Sequence, residues 1–97
     1  MNNLTLTNHA KLRMQQRIIT LQDIYNCVKF GASELQKEGK TKYTYQNIYV
    51  ILNPTTNTVI TACFTKSYTK QLERHAKLNN IGFYAAVRQL RRESIVS

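Results

Sequence analysis

Apolar residues recur along this chain with two periods, and the change from one to the other divides it into helical and extended stretches. In residues 8–17 Ala10, Met14 and, just beyond, Ile18 recur every four positions, which predicts a short helix with one buried side. Thr7 or Asn8 can cap it, because either side-chain oxygen can accept the free N–H groups of the first turn. Ile18-Ile19 is too short to form an element and is expected to pack the connection. A second helix is predicted after Thr20, with Leu21, Ile24 and Val28 as its buried stripe and Tyr25 at the flank. Thr20 and Asp23 form a near capping box, with Asp in place of the usual Glu or Gln. Gly31 closes that helix, where a residue able to take positive φ is most useful.

Beyond Gly31 the pattern turns strand-like. Residues 34–37 and 42–46 are candidate strands joined by a turn at Glu38-Gly39-Lys40. Residues 47–52 alternate cleanly, with Ile48, Val50 and Leu52 on one face and Tyr49 and Ile51 on the other. Asn53-Pro54-Thr55-Thr56-Asn57 reads as a hairpin loop, since Pro54 cannot donate to a ladder and Asn favours turns. Residues 58–65 return as a strand, with Val59, Thr61, Cys63 and Thr65 on one face and Ile60, Ala62 and Phe64 on the other. Residues 67–78 are polar and basic with little apolar periodicity. Asn79-Asn80 and Gly82 interrupt them, and Phe83, Val87 and Leu90 then recur at helical spacing. The expected fold class is α+β, a single domain over residues 1–97. A helical hairpin packs on a twisted antiparallel sheet of three or four strands, and a basic helical extension follows over residues 66–93.

Charge adds the first functional information. Fourteen Lys and Arg stand against five Asp and Glu, a net +9 in 97 residues, which implies an anionic partner. The excess is segregated: Lys11, Arg13 and Arg17 share one acid-free segment. Lys66, Lys70, Arg74, Lys77, Arg88, Arg91 and Arg92 crowd the last third. No stretch approaches the roughly 18 apolar residues of a membrane span, and the first residues do not resemble a signal peptide. A soluble, cytoplasmic protein without a membrane partner is expected. Cys27 and Cys63 lie in apolar contexts with no CxxC motif, which reads as two small buried hydrophobes rather than a zinc site or a disulfide.

RNA can be cleaved without a metal when its own 2′-OH attacks the phosphorus. That reaction needs proton-transfer groups and cations that stabilise charge on the phosphoryl oxygens. A histidine near neutrality can serve the first need, and arginine's forked donors serve the second. His9, Arg13 and Arg17, spaced every four residues on the first helix, supply both kinds of group, although a solvated helix face has the same look. Tyr43, Tyr45 and Tyr49 can stack bases or donate protons, or simply fill a half-buried face. Thr61 would add a hydroxyl from a central strand, and Lys42 and Tyr43 extend the RNA-binding set. There is no Walker loop, no GxGxxG and no acidic cluster for magnesium, so neither a metal nor a cofactor is expected.

The string His9-Ala10-Lys11-Leu12-Arg13-Met14-Gln15-Gln16-Arg17-Ile18 resembles the HAxxRMxxRxI signature of a family of small prokaryotic and phage domains of unknown function. Those domains look related to the RelE-like branch of the barnase–EndoU–colicin–RelE ribonucleases. The resemblance covers residues 7 to about 65 and implies a metal-independent endoribonuclease toxin of a toxin–antitoxin or antibacterial system. tRNA or mRNA would be its substrate and a cognate antitoxin or immunity protein its partner. It further implies that His9 is the acid or base, that Arg13 and Arg17 hold the scissile phosphate, and that Thr61 orients it. Tyr45 is the additional candidate from the tyrosine-bearing strand. The basic tail departs from the family pattern and is open to clasping RNA, holding an antitoxin or forming a homo-oligomer. Two other classes compete: a non-catalytic nucleic-acid-binding or host-modulating protein on the same fold, and a module for an acidic protein.

Overall fold

A computed structural model describes the backbone of residues 4–96 and the side chains of residues 4–91. In order along the chain come β1 (Thr5–Leu6), α1 (Asn8–Arg17), α2 (Leu21–Phe30), β2 (Ala32–Leu35), a single 3₁₀ turn (Lys37–Gly39) and β3 (Thr41–Tyr45). β4 (Ile48–Asn53), β5 (Thr58–Phe64), α3 (Lys66–Leu78) and α4 (Phe83–Val96) follow. The class is α+β, as expected. The sheet has five strands in the order β1-β5-β4-β3-β2, more than the three or four expected. It is mixed, because β1 runs parallel to β5 while the other pairs are antiparallel. A two-residue strand in a polar leader carries no alternation to detect. It forms because Thr5 and Thr7 donate their backbone N–H groups to Asn57 and Val59.

Local chemistry sets the helix ends. Thr7 caps α1 by accepting from the Ala10 N–H, and Thr20 and Asp23 complete a reciprocal capping box on α2. Such a cap stabilises a helix by about 1 kcal/mol. Gly31 differs from expectation: its φ of −75° is open to any residue. Glycine is needed there because a Cβ would lie 2.3 Å from the Cys27 carbonyl oxygen and 2.8 Å from that of Thr44. A left-handed residue follows α1 instead, where Ile18 takes φ 50° and ψ 50°. That conformation disfavours a β-branched side chain by about 1–2 kcal/mol.

One face of the sheet carries the core. Ile48, Val50 and Leu52 of β4 and Val59, Ala62 and Phe64 of β5 join Ala10, Ile19, Ile24, Cys27, Tyr68, Leu72 and Val87 from the helices and connections. The β5 alternation departs from the sequence reading. A bulge sets Ile51 opposite Thr61 but Leu52 opposite Val59, so Ile60 is the extra residue and Val59 joins the Ala62 and Phe64 side. α3 also buries more than its polar sequence suggests: Tyr68, Leu72 and Ala76, four residues apart, form a narrow stripe. Among the described residues no helix is long and apolar enough to cross a membrane.

Candidate nucleic-acid interface

The helices leave the opposite face of the sheet half-buried, and strand parity decides what stands there. Cross-strand pairing puts Lys42 beside Ile51 and Thr44 beside Tyr49. It also puts Tyr49 beside Cys63 and Ile51 beside Thr61. Tyr43 and Tyr45 pair with Val50 and Ile48 and therefore point the other way, into the core layer. Tyr45 packs against Phe30 of α2, with ring centroids 5.8 Å apart. Of the three tyrosines with candidate chemistry, only Tyr49 stands on the open face.

Arg17 reaches that face from outside the sheet. The edge carbonyls of β5 alternate in direction, and two on the β1 side are taken by α1 and its cap. Thr7 Oγ1 donates to the Ile60 carbonyl at 3.0 Å, and Arg17 Nη1 donates to that of Ala62 at 3.1 Å. The same Arg17 nitrogen lies 3.6 Å from Cys63 Sγ, and Thr61 Oγ1 lies 3.9 Å from that sulfur. Tyr49 completes the group as the cross-strand neighbour of Cys63. Burial, and next the Cys63 thiol, push its phenol above the ordinary value of 10.0, while the Arg17 charge pulls the other way. The phenol therefore keeps its proton at neutral pH and acts as a donor. Lys42 Nζ lies over the Tyr49 ring, 4.4 Å from its centroid.

His9 and Arg13 follow Arg17 along α1 without joining this contact set. Each four-residue step falls about 40° past a full turn, so the stripe winds inward from His9 to Arg17. His9 is exposed, whereas Arg13 is half-buried and donates to Gln16 Oε1 at 2.9 Å. No hydrogen bond to another described residue holds the His9 ring. His9 stands about 12 Å up the helix axis from Arg17.

Next to Tyr49 the open face deepens into a groove of about 570 Å³ between the sheet and the start of α3. Lys42, Lys66 and Lys70 bring positive charge to its walls, Glu73 brings one carboxylate, and Thr44, Thr65 and Thr69 add hydroxyls. Arg74 and Lys77 are exposed further along α3, and Lys11 is exposed on α1. Arg88 belongs to a different surface, beside Gln15, Gln16 and Tyr84. The Arg92 side chain lies outside the described residues.

Arg91 corrects the expectation that it meets RNA, for it is only 9% exposed. Its Nε and Nη2 both donate to the Ile18 carbonyl, at 3.2 and 3.1 Å. Nη2 also donates to Asp23 Oδ2 at 2.7 Å. A basic side chain from the tail thus fastens α4 to the α1–α2 junction. The cysteines divide as well. Cys27 is buried, and desolvation pushes its thiol up to about 11, whereas Cys63 is only half-buried among Arg17, Thr61 and Tyr49. Neither forms a disulfide. Among the described residues no three His, Cys, Asp or Glu side chains gather closely enough to hold a metal.

Comparison with curated proteins and with solved structures finds no match. A family model described as a domain of unknown function matches residues 6–71, from the end of β1 into α3, and leaves α4 and its Arg91 fastening outside. With more than half of its length matched, this chain belongs to the DUF4258 family of domains of unknown function.

Proposed function

We propose that this protein is a metal-independent endoribonuclease that binds RNA across the open face of its sheet. The observation carrying this reading is that Arg17, Tyr49 and Thr61 surround Cys63 beside a lysine-lined groove. Phosphoryl transfer to a neighbouring 2′-OH concentrates negative charge on non-bridging oxygens. Arg17 already has one Nη1 contact to the sheet, which fixes its guanidinium in place with donors left for a phosphate. Tyr49, protonated at neutral pH, is suited to donate to a phosphoryl or leaving oxygen, and the Thr61 hydroxyl to orient the group. Lys42, Lys66 and Lys70 would hold flanking phosphates, an attraction that weakens with salt through counterion release. His9 is the side chain on the α1 stripe able to accept the 2′-OH proton, and RNA seated along α1 would have to bring that hydroxyl to it. The His9–Ile18 string resembles the signature of a family of unknown function that itself looks related to RelE-like toxins, which supports the same reading, with a cognate antitoxin as the natural partner.

A non-catalytic RNA binder is the second reading, favoured by the exposure of His9 and by the lack of a hydrogen bond holding its ring. Incubation of the purified protein with total RNA in EDTA separates the two. The first reading expects fragments ending in 2′,3′-cyclic phosphate, lost in His9→Ala with the fold intact. RNA bound but left whole would establish the second.

A further inference from the structure

The two edges of the sheet are finished differently. At the edge where β1 covers the start of β5, α1 lies alongside the rest of β5, and Thr7 and Arg17 occupy the carbonyls of Ile60 and Ala62. At the other edge β2 pairs with β3 alone, and all four of its residues are exposed. Leu35 is 79% and Phe30 59% exposed, and both lie on the helix-covered side of the sheet. An open strand edge offers backbone N–H and C=O groups to another strand. Here it also offers two apolar side chains.

We propose that a second copy of this chain occupies that edge, β2 against β2 in antiparallel pairing about a two-fold axis through Ser33. Parity restricts the register, because a two-fold axis perpendicular to the sheet joins like faces. Centred on Glu34, the pairing would set two carboxylates opposite each other, which is destabilising. Centred on Ser33, it sets Glu34 opposite Ala32 of the second copy. It also sets Leu35 opposite that copy's Gly31 and beside its Phe30, so each exposed apolar side chain covers the other.

Charge points to the same occupant. Residues 32–40 hold Glu34 and Glu38 against Lys37 and Lys40, with Lys40 paired to Glu38 at 3.3 Å, so this edge is locally neutral in a chain of net +9. A copy repelled by most of the surface meets least opposition here, whereas an acidic partner would be drawn to Lys42, Lys66 and Lys70. The joined sheets would keep both open faces on the same side.

Sedimentation equilibrium of the RNA-free chain tests the proposal. A mass of twice 11.3 kDa is expected at high protein concentration. The dimer should strengthen with added salt as the net charge is screened, and Leu35→Lys should return it to monomer. Directly opposed residues in an antiparallel pair have Cα atoms about 4.5–5.5 Å apart, within the span of about 4.4–6.8 Å that a disulfide bridges. Ser33→Cys in a Cys63→Ser background should therefore lock a dimer on oxidation, while Thr56→Cys in the β4–β5 loop should not. A monomer mass at every concentration and salt would overturn the proposal. So would a dimer that Leu35→Lys leaves intact and Ser33→Cys fails to lock.

Discussion

Tyr45 and Tyr49 stand four residues apart on neighbouring strands, and their surroundings differ in kind. Tyr45 packs on Phe30 within the helix-covered layer, while Tyr49 faces outward beside Cys63 under the Lys42 ammonium. The same contrast separates two arginines. Arg91 is buried, with its guanidinium committed to Ile18 and Asp23, whereas Arg17 holds one edge carbonyl and turns toward the open face. Residue type therefore says little about which basic or aromatic side chain meets a ligand. The side of the sheet on which it emerges says much more.

The arginine pair gives the largest expected effects. Arg17→Ala should lower RNA cleavage by about 10²–10³-fold, the size of losing one preorganised donor to developing charge, and disturb stability by only about 1 kcal/mol. Arg91→Ala should do the reverse. It strips the guanidinium from the Ile18 carbonyl and leaves Asp23 with the Thr20 N–H alone, which destabilises the fold by about 2 kcal/mol. Cleavage measured below the melting transition should fall far less. Denaturation curves beside initial rates test the pair, and equal effects on both quantities would erase the distinction.

The tyrosines sharpen the same contrast at a smaller scale. Tyr49→Phe should slow cleavage by about 10²-fold if the phenol donates a proton in the reaction, and Tyr45→Phe by less than about twofold. The Tyr49 phenol lies above its ordinary value. Its contribution should therefore persist through neutral pH and disappear only as pH rises past 10.0, a loss absent from the Tyr49→Phe profile. The cysteines give the mildest test. Cys63 should react with an aromatic disulfide reagent in the native protein, and Cys27, with its thiol near 11, only on unfolding. Two equally fast thiols would contradict the placement of Cys27.

Much of the architecture was legible because local chemistry sets it. Thr7, Thr20 and Asp23 cap the first two helices where a first turn needs acceptors, and the alternation of Ile48 to Leu52 marks both faces of β4. The illegible parts depend on contacts distant in sequence. The bulge at Ile60 reverses the parity of Val59, and nothing local announces it. Tyr45 and Tyr49 look alike until the β3–β4 register fixes their sides. Arg91 reads as one more tail cation until Asp23 and the Ile18 carbonyl, 68 and 73 residues away, come into reach. Of the candidate site, the α1 stripe was legible as a stripe. Its inward winding, which separates Arg17 from His9, follows from helix geometry and from the side that buried Ala10 and partly buried Met14 turn to the core.

Photocrosslinking of bound single-stranded RNA carrying 4-thiouridine, followed by peptide mapping, tests most directly whether the open face is the RNA interface. Adducts are expected at Tyr49, Lys42 and residues 66–70, and they should diminish in Arg17→Ala. Adducts confined to Phe30, Leu35 or the surface around Tyr84 and Arg88 would contradict the assignment of the open face.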